Sequence, residues 1–275
     1  MEYCVIDDTT HSINSKLEWR SDYFFKLGLT EEITITAFDF FCSLAFPLPF
    51  KCGKMYDSDW YTPGIKTNLS ISNLFVHSGF DAELGIKYNF DIYGFTISPL
   101  ISISNSFIKL QAKNTIGRCG DMRHTHLEQN YPWNSEYSKK VKKFGIDFWN
   151  NITSVFCGIE AAKNFGAVKA NAGILVSPYT YILSVDHHLN KEEGHYYQLI
   201  QKAYFKVWDF YAQTGYSLNK KNMICLAADY SFCPVTNGDF YFGWFKIENI
   251  LADETSSFAF SNLALRLSWT IIGGK

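Results

Sequence analysis

The chain has 275 residues, with 25 lysines and arginines against 27 aspartates and glutamates, so its net charge is -2. This balance argues against a general nucleic-acid binder, which carries a basic excess, and an apolar content of 47% argues against a disordered chain. Aromatic residues make up 17% of the chain, which is high for a soluble domain. No stretch resembles a transmembrane helix, which needs about 20 mostly apolar residues.

Apolar and polar residues alternate with a period of two along most of the chain, which is typical of strands with two different faces. Between Phe95 and Ser104, for example, Phe, Ile and Pro occupy the odd positions, while the even positions are mostly Ser and Thr. The pattern predicts ten strands, at residues 2–8, 14–27, 31–45, 67–88, 91–114, 142–161, 166–186, 194–216, 222–235 and 257–271.

The predicted connections alternate in length. Short ones fall at 27–30, 89–90, 162–165 and 218–221, and long ones at 46–66, 115–141 and 236–256. Long strands, an even strand number and abundant aromatic residues favour an all-β fold, a ten-stranded antiparallel transmembrane β-barrel with short turns at one end. A sandwich with one wet face would show the same alternation, but ten long strands leave no obvious partner sheet. We therefore expect a single barrel domain over residues 1–275.

Two groups of acidic residues stand out on the long-loop side. Asp57 and Asp59 lie in the loop after the predicted third strand, and Asp186 and His188 lie at the end of the seventh. Residues two apart on an extended segment point the same way. Crowding raises the pKa of one of two neighbouring carboxyls, so the pair can share a proton or hold a water. A carboxylate beside an imidazole makes His188 a plausible general base.

Other interpretations of these residues stay open on spacing alone. An Asp-x-Asp sequence in a loop commonly forms a turn through its own side-chain hydrogen bonds. Asp and His are also metal ligands, and His187 and His188 with Asp57 or Asp59 could act as such.

Longer stretches around these residues resemble the omptin family of outer-membrane proteases. The sequence from Gly53 to Trp60 is similar to the Asp-x-Asp-Trp signature of that family, and 184–188 is similar to its Asp-x-His signature. Residues 15–19 resemble the start of the family's second strand, and the resemblance extends over essentially the whole chain. It implies a ten-stranded antiparallel barrel that rises well above the membrane.

The resemblance also implies an activity, that of an endopeptidase cutting between basic residues. Asp57 and Asp59 match the family's aspartate couple, and Asp186 and His188 match its Asp–His dyad. The implied mechanism uses a water held between the couple and His188, without a covalent intermediate. His188 takes a proton from the water, and Asp186 stabilises the imidazolium. The couple helps to hold the water and the developing oxyanion.

Positions that match the family's substrate-binding residues are only partly conserved in charge. Glu2 matches an acidic residue of the first strand, whereas Ser184 and Asn68 stand where acidic residues are expected. Losing a charge that pairs with a substrate arginine weakens selectivity. We therefore expect a specificity shifted away from dibasic sites.

The remaining expectations follow from the resemblance. They are a bacterial outer-membrane location with the active site facing outside, polypeptide substrates, contact with outer-membrane lipid, no nucleic-acid partner and a monomeric state. We expect no metal and no cofactor, with lipopolysaccharide or another outer-membrane lipid as the activator that the resemblance suggests. Glu2 falls in the middle of a strand in the family pattern, so we expect the signal peptide and the N-terminal part of the first strand to be missing.

Two rival functions are open at this point. One is a catalytically silent barrel of the same fold that acts as an adhesin or binding protein. The other is a lipid- or small-ligand-binding barrel of another family, in which the Asp and His residues would lie far apart or face outward.

Overall fold

A computed structural model describes residues 1–7, 12–142, 145–189, 195–244 and 250–271. Within these ranges the chain forms fifteen β-strands and one short helix, α1 (Met122–Thr125). The strands are β1 (Glu2–Asp7), β2 (Ile13–Ser21), β3 (Lys26–Ile35), β4 (Phe38–Pro47), β5 (Lys51–Asp59), β6 (Asn68–Tyr88), β7 (Phe90–Ile92), β8 (Phe95–Cys119), β9 (Lys139–Lys142), β10 (Ile146–Phe165), β11 (Val168–His188), β12 (His195–Ala203), β13 (Val207–Asn219), β14 (Asn222–Trp244) and β15 (Ile250–Ile271).

Ten of these strands hydrogen-bond in a closed antiparallel ring. Its order is β1, β2, β5, β6, β8, β10, β11, β12, β14 and β15, and β15 pairs with β1. Strand β4 pairs with the C-terminal part of β6, and β3 pairs with β4. Strand β13 follows β12 and takes its place between β11 and β14. The predicted all-β, ten-stranded antiparallel fold is confirmed.

Two strand segments towards the other end of the ring are paired on one side. Strand β1 covers β15 from Glu254 to Ala259, and the rest of β15, from Phe260 to Ile271, pairs with β14. Strand β3 pairs with β4. Among the described residues, β3 and this part of β15 therefore each have a strand partner on one side.

The two ends of the ring differ, as predicted. At one end, called the turn end, two-residue turns at 36–37, 93–94, 166–167 and 220–221 join the strands. Tyr93 and Gly94 both have positive φ, of 50° and 78°, the conformation that suits a tight turn between twisted strands. At the other end, the loop end, longer segments connect the strands, including 60–67 and 120–138.

Several predicted boundaries are wrong. The chain stays extended through the predicted turn at 27–30, and a Cβ on Gly28 would meet the Leu44 carbonyl oxygen at 2.9 Å. Gly28 therefore marks close backbone packing and not a turn. Similarly, the turn predicted at 89–90 lies at 93–94, and Asp57 and Asp59 belong to strand β5 instead of a loop. The polar sequence at 57–59 suits a loop, but this ring also buries polar residues on its strands.

The inside of the ring contains an apolar cluster close to the loop end. Trp19 of β2 and Phe148 of β10 stack at 4.3 Å between ring centroids, although they come from far sides of the ring. Met55, Leu74 and Phe258 belong to the same buried cluster. We call this cluster the floor, because it fills the interior next to the residues described in the next section.

The outer face carries a broad apolar surface towards the turn end. It includes large exposed side chains on many strands, among them Leu29, Leu44, Leu84, Ile103, Ile159, Leu226 and Leu265. In the described residues, no helix is long and apolar enough to span a membrane.

Candidate active site

Asp186 and His188 form a hydrogen-bonded pair near the end of β11. They are two residues apart on an extended strand, so both side chains lie on the same face. The distance from His188 Nε2 to Asp186 Oδ2 is 3.1 Å. Asp186 is 1% exposed, whereas the His188 side chain is 30% exposed. A buried carboxylate thus holds an imidazole that remains partly exposed.

Asp57 and Asp59 lie on β5, in another part of the ring. The Asp57 carboxylate accepts a hydrogen bond from Ser70 of β6 at 3.1 Å, and Asp59 accepts one from Ser15 of β2 at 3.2 Å. Each neighbouring strand therefore supplies one hydroxyl to one carboxylate. These bonds fix the orientation of the two acids. The alternative interpretation, a turn held by Asx hydrogen bonds, is wrong, because both residues lie in a strand.

Tyr197 of β12 connects the two acidic groups. Burial raises the pKa of Tyr197 above the ordinary range for tyrosine, and the negative charges of Asp186, Asp59 and Asp57 raise it further. Its ring also contacts His188 edge-on, with centroids 5.1 Å apart. The charges of both predicted carboxylate pairs thus reach the same tyrosine, which also contacts His188. We call the region between these residues the cleft. Tyr197 is one of 17 tyrosines, and the sequence offers no local signal that singles it out.

His187 lies on the opposite face of β11. Its ring stacks on Tyr196 at 4.0 Å with an interplanar angle of 5°. Burial lowers the pKa of His187, as does the charge of His188, while the Asp147 and Asp186 carboxylates oppose that shift. His187 and His188 point to opposite faces of the strand, so they do not form one metal site with the aspartates.

The three predicted substrate-binding residues occupy different environments. Ser184 is fully buried on the face of Asp186, and its hydroxyl accepts a hydrogen bond from Asn150 at 2.8 Å. Asn68 is buried directly opposite Asp59 on the neighbouring strand. Glu2 pairs with Glu18 on the face opposite Leu17 and Trp19, where it forms a salt bridge with Lys16 at 3.0 Å. Glu2 is thus not brought together with the other site residues.

An arginine that the sequence analysis did not consider borders the cleft. Arg123 of α1 lies over the Tyr61 ring, with its guanidinium carbon 4.1 Å from the centroid. Burial lowers the pKa of Arg123, but Tyr61 and the negative charges of Asp121 and Asp59 raise it by more. A positive charge therefore lies near the aspartate couple.

The fold and these side chains define a class of protein, a ten-stranded antiparallel barrel with a carboxylate–histidine cluster at its loop end above an apolar floor. A solved structure of this architecture is the outer membrane protease OmpT from Escherichia coli. It matches with a TM-score of 0.75 and 12% sequence identity, over 98% of this chain and 91% of OmpT. No family model and no curated protein sequence matches the chain. The omptin-like fold that the sequence resemblance implied is thereby confirmed.

Proposed function

We propose that this protein is an omptin-type endopeptidase of the bacterial outer membrane that hydrolyses peptide bonds of polypeptides outside the cell. The observation that carries the proposal is the Asp186–His188 hydrogen bond of 3.1 Å in the same neighbourhood as Asp57 and Asp59. The likeness of the fold to an outer membrane protease supports it.

In this mechanism His188 is the general base. Its Nε2 is engaged by Asp186, so Nδ1 is the nitrogen that accepts a proton from the attacking water. The water oxygen adds to the scissile carbonyl carbon, and the proton passes from His188 to the leaving amine. The buried Asp186 carboxylate orients the ring and stabilises its protonated form.

The aspartate couple holds the attacking water. Asp57 and Asp59 are two residues apart on β5, so their side chains lie on the same face of the strand. Their carboxylate oxygens can accept hydrogen bonds from the water and so orient it towards the scissile carbonyl. Ser70 and Ser15 keep the two carboxyls in position.

We infer a specificity that differs from cleavage between basic residues. Ser184 and Asn68 carry no charge, Glu2 lies on another face, and Arg123 adds a positive charge near Asp59. A substrate arginine would find fewer acidic side chains here, and it would be repelled by Arg123.

The location proposal rests on the outer surface. The apolar surface near the turn end suits the hydrocarbon core of a membrane, so the loop end with the cleft would face outside. The exposed lysines of β9, at the loop end, are suited to contact with anionic lipid headgroups. Activation by lipopolysaccharide, a monomeric state and catalysis without a cofactor remain part of this proposal.

The test is digestion of a mixed peptide library by the refolded protein in detergent with lipopolysaccharide. We expect cleavage by the wild type and a loss of about 10²–10⁴-fold in kcat for His188→Ala, because a general base contributes a factor of this size. His187→Ala is the matched control, since that neighbour faces the other way, and it should keep activity within a few-fold. The sites cut would report the specificity directly.

Two results would contradict the proposal. One is the absence of cleavage by folded protein with lipopolysaccharide present, which would favour the silent adhesin or binding protein. The other is equal loss of activity in both histidine variants.

A further inference from the structure

A second group of chemically active side chains lies next to the proposed catalytic cleft. Cys119 ends β8, Asp121 follows it, and His124 lies in α1. One ligand atom from each of these residues lies within 4.8 Å of the other two. Cys119 and Asp121 are buried, while the His124 side chain is 38% exposed.

The backbone around this cluster is fixed by the fold. The Gly120 N–H donates to the Thr67 carbonyl oxygen at 2.9 Å, which ties the end of β8 to the segment before β6. Asp121 caps α1 by accepting a hydrogen bond from the His124 N–H at 3.1 Å. Its carboxylate also contacts His124 Nδ1 at 2.8 Å. The side chains are therefore held close together before any ligand binds.

Asn68 supplies a second, independent observation. It lies directly opposite Cys119 on β6, and it is 1% exposed. Its Oδ1 is buried without a hydrogen-bond donor among the described residues. The Asn68 side chain also hydrogen-bonds to the Asp121 carboxylate, and since a carboxylate accepts, the amide nitrogen is the donor. The buried amide oxygen is left without a donor, which costs stability unless something binds it.

We propose that Cys119, Asp121 and His124 bind one divalent ion of the zinc class, with the Asn68 amide oxygen as a further ligand. Thiolate, imidazole and carboxylate are the donors that zinc prefers in four-coordinate sites, and bond lengths of about 2.0–2.3 Å place tetrahedral ligand atoms roughly 3.5 Å apart. The cluster needs to contract by only about 1 Å to reach that geometry. The thiol proton passes to solvent as the ion binds, and His124 binds as a neutral imidazole through its unprotonated nitrogen.

The position of the cluster beside the aspartate couple indicates the role of the ion. Asn68 is also the strand neighbour of Asp59, so a bound ion would link β6, β8 and α1 beside the aspartate couple. Arg123 Nε contacts Asp121 at 3.6 Å, but the arginine side chain is largely exposed and also packs over Tyr61. A bound ion would replace the contact between Arg123 and Asp121, while Arg123 can stay packed over Tyr61. We therefore expect a structural ion that stiffens this side of the cleft.

The test is a Co²⁺ titration of the refolded full chain, followed by absorption spectroscopy. We expect one equivalent to produce thiolate-to-cobalt charge transfer in the near ultraviolet together with visible bands of a tetrahedral ion. Cys119→Ser should abolish the charge-transfer band, and His124→Ala and Asn68→Ala should each weaken Co²⁺ binding about tenfold or more. Cys225→Ser is the matched control, because Cys225 is a buried strand cysteine near the turn end.

Zinc should compete for the cobalt, and a chelator should lower the melting temperature of the zinc-loaded wild type but not that of Cys119→Ser. Far-ultraviolet circular dichroism would establish that each variant is folded. The proposal would be overturned by folded wild type that shows no charge-transfer band, or by a band that survives in Cys119→Ser. An unchanged affinity in Asn68→Ala would remove Asn68 from the ligand set. These readouts do not depend on proteolysis.

Discussion

At the scale of single residues, Tyr197 is the least expected member of the candidate site. Its raised pKa keeps the phenol protonated and uncharged, so it can donate a hydrogen bond in the neighbourhood of Asp186 and the aspartate couple. If this hydroxyl helps to hold the water or the oxyanion, Tyr197→Phe should lower kcat by about 10²-fold. The loss of unfolding free energy should be only about 1 kcal/mol, as is usual for one hydrogen bond.

Tyr196→Phe is the control for this change, because Tyr196 lies on the other face and stacks on His187. The pH profile of kcat/KM gives a second check. A raised pKa means that Tyr197 stays neutral to higher pH than an ordinary tyrosine, so no loss of activity from its ionisation should occur below about pH 10. Equal kcat in the two variants would remove Tyr197 from the mechanism.

Asp186 gives a second prediction at this scale. Asp186→Asn keeps the size of the side chain but removes the charge that stabilises protonated His188, so kcat should fall by about 10²–10⁴-fold. Asp147→Asn is a matched control, since Asp147 lies opposite His187, outside the site. A catalytically silent barrel would show no activity for either variant to change, and its stability would be the only quantity affected.

At the scale of elements, the floor joins strands from distant parts of the ring through side-chain packing. Phe148 of β10 is fully buried and stacks on Trp19 of β2. Phe148→Ala should lower the free energy of unfolding by about 3–5 kcal/mol, because it removes a large core side chain and leaves a cavity. Trp149→Ala alters the next residue, which faces the other way and packs edge-on against Tyr196, so it should cost much less. Urea unfolding of both variants in detergent would measure the difference, and equal losses would show that the floor does not support the ring.

At the scale of the whole molecule, the apolar outer surface sets the proposed position in the membrane. Ile103 and Ile116 lie on the same strand, β8, and both are exposed. Ile103 belongs to the apolar surface near the turn end, whereas Ile116 lies close to the loop end. Ile103→Arg should destabilise the membrane-inserted protein by about 2–4 kcal/mol, the cost of a charge on the lipid face near the bilayer midplane, and Ile116→Arg by no more than about 1 kcal/mol. Folding into lipid vesicles measures both, and a reversed order would place the membrane elsewhere.

The sequence by itself determined the local features of this protein. Alternation with a period of two depends only on neighbouring residues, so it revealed most of the strands and their two faces. It missed β5, which lies inside the predicted loop 46–66, and it ran one predicted strand, 31–45, through the turn at 36–37. The pairing of Asp57 with Asp59 and of Asp186 with His188 also follows from this local geometry, because residues two apart on a strand share a face. Strand ends were less accurate, as Gly28 shows, since a glycine that allows close packing looks the same as one in a turn.

The tertiary structure decided which distant residues meet. Strand pairing placed β5, β11 and β12 so that the charges of Asp57 and Asp186 both reach Tyr197. The register of β1 against β2 turned Glu2 towards Lys16 and away from the cleft. These outcomes depend on the order and register of strands around the ring, and a one-residue change of register reverses every face. The same long-range pairing set Asn68 opposite Cys119, a neighbourhood that no local spacing in the chain indicates.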